Sequence, residues 1–151
     1  MKKIQLTRGK FALVDDEDYD YLNQWKWYFN NKYVARGIRE NGRHSTIYMH
    51  RVILNPPENR DIDHVNIDPL DNRKCNLRLC TDSQNCANRP LSRNNKSGFK
   101  GVCWDKRHSK WRATITYQYK YINIGLFEKP EDAGNAYNKM AIKLFGEFAR
   151  R

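Results

Sequence analysis

Asp63 and His64 stand side by side at the end of a short apolar run, Ile62-Asp63-His64-Val65. Twelve residues after His64, Asn76 opens a second run, Asn-Leu-Arg-Leu-Cys, and nine residues further on comes Asn85. A carboxylate, an imidazole and two amides are the groups a one-metal phosphodiesterase centre needs. Cleaving a phosphodiester takes an activated water, charge neutralisation on the pentavalent phosphate and help for the leaving 3′ oxygen. A divalent ion on hard oxygen ligands supplies the last two. Asp63 and the side-chain oxygen of Asn85 are such ligands, and two protein ligands leave positions open for water and phosphate. His64, neutral near pH 7, can take a proton from water. The Asn76 amide oxygen is a candidate acceptor for the other ring N–H, fixing the tautomer.

These groups need rigid elements to hold them. The spacing predicts a strand over residues 62–65, a polar loop over 66–74 with Pro69, and a second strand over 77–79. Thr81-Asp82-Ser83-Gln84 is a capping box, so a helix should begin there, with Asn85 on its first turn and aimed at the strand pair. Asn66, Asp68, Asp71 and Asn72 read as turn and cap residues. Met49 to Leu54 is short and apolar, stopped by Pro56-Pro57. His50 and Arg51 read as structural or backbone-contacting residues, with Arg51 kept as a candidate contact to the scissile phosphate. Upstream, residues 3–6 and 10–14 read as short strands, and Asp15 to Asp18 as an acidic helix start. Residues 33–39 and 44–48 flank Asn41-Gly42, a tight hairpin turn. Trp25, Trp27, Tyr28 and Phe29 are expected in the core. Residues 1–48 should form an antiparallel β platform under the nuclease module at 49–92.

The framework Ile-Asp-His-Val-Asn-x-Asp-Pro-Leu-Asp-Asn-Arg-x-x-Asn-Leu-Arg-Leu-Cys-Thr resembles the HNH endonucleases of the ββα-metal fold. It is closest to the phage and intron-encoded homing type, in which Asn replaces the last His. By that resemblance Asp63 and Asn85 bind the metal, His64 is the general base and Asn76 orients it. An amide as the far ligand favours Mg²⁺ or Mn²⁺, one ion per site, over softer metals. With no Cys-x-x-Cys pair, the structural zinc of some relatives is not expected.

Arg89 to Ser97 has a proline, small polar residues and only basic charges, and residues 93–97 read as a linker. Residues 99–104, 110–117 and 120–127 then read as three strands. Trp111, Ala113, Ile115 and Tyr117 share one face of the second strand; Arg112, Thr114 and Thr116 share the other. In the third, Ile122, Ile124 and Leu126 should lie opposite Tyr121 and Asn123. Ala133, Ala136, Tyr137, Met140, Ala141, Leu144 and Phe145 have the spacing of an amphipathic helix that Pro130 starts and Gly146 stops. Ser-Gly-Phe-Lys-Gly-Val, Lys-Trp-Arg-Ala-x-Ile and Ile-Gly-x-Phe-x-x-x-Glu-Asp-Ala-x-x-Ala-Tyr are together similar to the DNA-binding domain of plant ethylene-response factors, which also occurs fused to HNH endonucleases. The resemblance puts Lys100, Lys110, Thr114, Thr116 and Asn123 at base- or phosphate-facing positions, and alternation adds Arg112. Thr, Thr and Asn replace residues that family prefers, so its DNA sequence preference does not carry over.

Composition sets the partner class. Twenty-eight Lys and Arg against seventeen Asp and Glu give +11 over 151 residues, which favours a polyanion through counterion release. No apolar run approaches a membrane span or a signal peptide, so an intracellular protein of a phage- or bacterium-type host with reduced thiols is expected. The expected fold class is α+β: a ββα-metal HNH nuclease module on a small antiparallel β platform, followed over residues 98–151 by a three-stranded antiparallel sheet packed on one helix. The expected function is metal-dependent hydrolysis of double-stranded DNA by a monomer, nicking one strand at a site the C-terminal sheet selects. The competing reading is a non-catalytic DNA-binding regulator on the same scaffold.

Overall fold

A polar strand carrying Ile4 and a wholly apolar one open the chain as β1 (Lys2–Gln5) and β2 (Phe11–Val14), an antiparallel pair that sets Ile4 against Ala12. This is a computed structural model, and it describes residues 1–150. The acidic run opens α1 (Asp16–Leu22), with Asp16, Glu17 and Asp18 in the first turn, where helix N–H groups favour negative charge. The indole of Trp27 donates to the carbonyl of Leu22 at the end of that helix (2.8 Å). β3 (Tyr28–Phe29), β4 (Val34–Glu40) and β5 (Arg43–Tyr48) form a three-stranded sheet. Asn41 and Gly42 turn the β4–β5 hairpin with φ of 49° and 76°. The apolar run after it is helical, α2 (Met49–Leu54), and ends on a left-handed Asn55. β6 (Asp61–His64) and β7 (Leu77–Cys80) are a two-stranded antiparallel pair. α3 (Asp82–Asn88) follows. Then come β8 (Val102–Asp105), β9 (Lys110–Tyr117), β10 (Lys120–Phe127) and α4 (Pro130–Phe145).

The chain forms two compact units, Met1–Cys80 and Thr81–Arg151. In the first, Ile4, Leu6, Ala12, Val14, Leu22, Trp27, Val34 and Met49 make one buried cluster, with Val52, Ile53 and Leu70 packed on it. Met49, Val52 and Ile53 come from α2, and Leu70 from the β6–β7 connection. The platform core therefore extends into the segment expected to be a separate nuclease module. Two backbone bonds fasten the connection to β2: Leu13 N–H donates to Leu70 O, and Asn72 N–H to Leu13 O, both at 2.8 Å. The division falls inside residues 49–92, so β6 and β7 belong with the platform and α3 with the second unit.

In the second unit β8, β9 and β10 make an antiparallel sheet in the order β10-β9-β8. Val102, Ala113 and Ala133 are buried between it and α4, with Phe99, Trp111, Ile124 and Phe127 around them. Gly134 of α4 lies against the Phe99 ring so closely that a Cβ would meet it at 2.4 Å. One sequence expectation fails here. Leu126 was expected on the face of Ile122 and Ile124, but a bulge between Asn123 and Gly125 shifts the register and pairs Leu126 with Arg112. A bulge inserts one residue and reverses the alternation beyond it. Leu126 is accordingly 38% exposed, and Phe127 takes the inward place.

Candidate active site and nucleic-acid interface

Successive residues of a strand point to opposite faces, yet Asp63 and His64 are both buried, at 5% and 6% exposure. Each is buried against something different. Asp63 lies directly across the ladder from Arg78. The Arg78 guanidinium donates to Asp63 Oδ2 from Nε at 2.9 Å and from Nη2 at 2.7 Å. The His64 ring lies among aromatic rings. His50, on α2, meets it edge to face with centroids 5.4 Å apart, and Tyr33 lies near parallel to it at 6.1 Å. Tyr48 stacks on His50 in turn, at 5.7 Å and 14°.

Burial holds the His64 ring below the usual imidazole range, against an opposing hydrogen-bonding contact from Asn72 and the charges of Asp63, Asp68 and Asp71. The ring is thus neutral at pH 7 and able to accept a proton. His50 is pushed down to about 3, by burial first and then by the neighbouring charges of His64 and Arg51. Sequence reasoning had left His50 without a chemical role.

Asn76, the expected partner of the His64 ring, spends its amide on the loop. Its oxygen accepts from Asn66 N–H at 2.9 Å, and its Nδ2 donates to Asp71 O at 2.8 Å. Asn72, a residue assigned to the turn and here fully buried, acts on the His64 ring by favouring its protonated form. Asn72 Nδ2 also donates to Pro69 O at 3.1 Å. No local pattern marks Asn72; what buries it is its backbone bond to Leu13, far away in sequence. Asn66, Asp68 and Asp71 fill the turn roles their types suggest, with Asp71 held by Arg73 at 2.6–2.7 Å. Arg51 donates to Arg60 O at 3.4 Å.

In the second unit the expected capping box is present: Thr81 N–H donates to Gln84 Oε1 at 2.8 Å, and Gln84 N–H to Thr81 Oγ1 at 3.3 Å. It starts α3 and places Asn85 on the first turn. The C-terminal end of α3 is held by Lys100, whose ammonium donates to the carbonyls of Cys86 and Arg89 at 3.3 and 2.9 Å and also to Ala87 O. Burial keeps this amine below the usual lysine range. Lys100 was expected to face DNA; its charge is instead used inside the unit.

The residues of β8–β10 that turn away from α4 make a polar face. Register sets Cys103, Arg112 and Leu126 in one row, Thr114 with Asn123 in the next, and Thr116 with Tyr121 beyond. Lys110 pairs with Glu128 at 2.8 Å, both exposed. Arg112 pairs with Asp105 at 3.3 Å. An exposed pair such as Lys110–Glu128 contributes little and exchanges partners readily, which leaves Lys110 available to a stronger anion. Residues 81–151 hold fourteen Lys and Arg against six Asp and Glu, or +8 of the +11. Among the described residues no helix is long and apolar enough to cross a membrane. The four cysteines are free thiols.

Over 145 residues, 94% of its length, the chain is 31% identical to an uncharacterized HNH endonuclease of Acanthamoeba polyphaga mimivirus, and spans 74% of that protein. It is 34% identical to Protein 3.8 of Escherichia phage T7 over 94 residues, 62% of this chain and 77% of the phage protein. No family model matches the chain. No solved structure matches it.

Proposed function

The chain belongs to the HNH endonuclease family, and from that premise we propose that it is a metal-dependent DNA endonuclease that nicks one strand of a duplex. The observation that carries the reading is the Asp63–His64 pair on β6: a buried carboxylate beside a buried imidazole that burial keeps neutral. His64 accepts a proton from the attacking water at a ring nitrogen. The rings of His50 and Tyr33 fix how that imidazole sits.

Asp63 and Asn85 are the proposed ligands of one Mg²⁺ or Mn²⁺. The donor set fits such an ion: a carboxylate and an amide offer hard oxygens. Among the described residues no group of three or more His, Cys, Asp or Glu comes together that could hold a metal ion, so the proposed site rests on these two side chains. Mg²⁺ keeps several waters and suits a site with few protein ligands. When bound, the ion supplies charge neutralisation at the phosphate and at the leaving oxygen.

The face bearing Arg112, Thr114, Thr116 and Asn123, with Lys110 at its edge, is proposed to lie in a groove of double-stranded DNA and select the site, as its likeness to the ethylene-response-factor domain implies. A sheet of this width can enter a major groove. One centre per chain implies a nick by a monomer.

Supercoiled plasmid incubated with Mg²⁺ tests the reading. Wild type should convert it to open circles, and His64→Ala and Asp63→Ala should not. Plasmid left intact by wild type, under conditions where a gel shift shows binding, would make the chain a DNA-binding regulator without cleavage.

A further inference from the structure

Arg78 occupies the carboxylate proposed to hold the metal ion. Two of its donors, Nε and Nη2, fall on a single oxygen, Asp63 Oδ2, and the two side chains are only 15% and 6% exposed. A two-donor contact between full charges is among the stronger polar contacts a protein makes. Withdrawn from water, it is little screened by salt. The pairing is also built into the sheet, since Asp63 and Arg78 are ladder partners. A divalent ion taken up by Asp63 would sit within a few ångströms of the guanidinium, and like charges repel more where water is excluded.

Resting on the ligand assignment made above, we infer that Arg78 is a positioning residue that makes ion uptake depend on DNA. Without a duplex it holds Asp63 and keeps affinity for the ion low. When a phosphodiester arrives, its donors move to a phosphate oxygen and Asp63 is released to the ion. The guanidinium fork matches phosphate as well as carboxylate, so the exchange replaces one two-donor contact by another. A lysine could neutralise Asp63 but could not make that exchange. Arg78 was one of many cations in the sequence and had no role there; only the β6–β7 register singles it out.

Manganese binding to the full chain, followed by the electron paramagnetic resonance of free Mn²⁺, tests this without any turnover. For wild type, a short mixed-sequence duplex should tighten Mn²⁺ binding by on the order of tenfold. Arg78→Gln should bind Mn²⁺ more tightly by about the same factor with no DNA present, and adding the duplex should change it little. Arg78→Lys, which keeps a cation at the site, should stay near wild type without DNA and guards against a folding defect in the glutamine variant. A gain of affinity on removing an arginine is not what loss of a merely structural contact produces. If Arg78→Gln and wild type bind Mn²⁺ equally without DNA, while Asp63→Asn abolishes binding, the gating role is overturned and the ligand assignment stands. If Asp63→Asn binds as wild type does, both are overturned.

Discussion

The rings of His50 and His64 meet edge to face with centroids 5.4 Å apart, one carried by α2 and the other by β6. The contact joins the platform to the candidate base. α2 is held in the platform core by Met49, Val52 and Ile53, and His50 projects from the same helix. The position of the His64 imidazole is therefore set partly by residues whose burial has nothing to do with chemistry.

That pair should make the fold acid-sensitive. An unfolded imidazole binds a proton as pH falls through about 6.5, whereas folded His50 does so only near 3. Between those values the unfolded chain holds more protons, so stability falls as pH falls, by roughly 1.4 kcal/mol per pH unit for this one group. His64, also held low by burial, acts in the same direction. Urea unfolding of the first unit between pH 7 and pH 4 should show this decline, and His50→Phe should flatten it. An unchanged slope in the variant would contradict the assignment.

Asn72 and Asn76 should separate in their effects. The Asn72 contact raises the pKa of His64, so Asn72→Ala should lower it further, as read by imidazole NMR titration. Asn76 serves the loop, and Asn76→Ala should cost about 1–3 kcal/mol of stability by stranding Asn66 N–H and Asp71 O, while moving the His64 titration much less. The reverse pattern would restore Asn76 as the residue that orients the ring.

What the sequence revealed was what short range controls. The Thr81–Gln84 box, the Asn41-Gly42 turn and the period-two pattern of β9 each depend on a few adjacent residues, and each is found where expected. Asp63 and His64 were legible as chemistry because a carboxylate and an imidazole share a strand end. What stayed hidden depends on distant partners. Asn72 is buried because Leu13 receives its backbone, and Lys100 leaves solvent because the end of α3 offers it carbonyls. Leu126 changed faces because of one inserted residue, which no hydrophobic count reveals.

Lys100 and Lys110 offer a test of which cations meet DNA. Lys100→Met should destabilise the second unit by about 1–3 kcal/mol, since several helix-end carbonyls lose their donor. Lys110→Met should leave stability nearly unchanged, because its pair with Glu128 is exposed. In DNA binding the order reverses: Lys110→Met should reduce the slope of log affinity against log salt by about 0.9, the share of one phosphate contact, and Lys100→Met should not. Equal slopes for Lys110→Met and wild type would remove Lys110 from the interface.

Ile67 stores strain in the loop that follows His64. Its φ is +67°, a left-handed conformation that a β-branched side chain adopts at a cost of roughly 1–2 kcal/mol. Its N–H donates to His64 O at 2.9 Å, so the turn is fixed from the strand end that carries the candidate base. The side chain is 37% exposed and gives up only part of its burial when removed. Ile67→Asn should therefore stabilise the first unit by up to about 1 kcal/mol, since asparagine tolerates this conformation without the full backbone entropy of glycine. Thermal unfolding of the variant should show a higher midpoint. A lower one would mean that the isoleucine side chain contributes more through packing than its backbone loses.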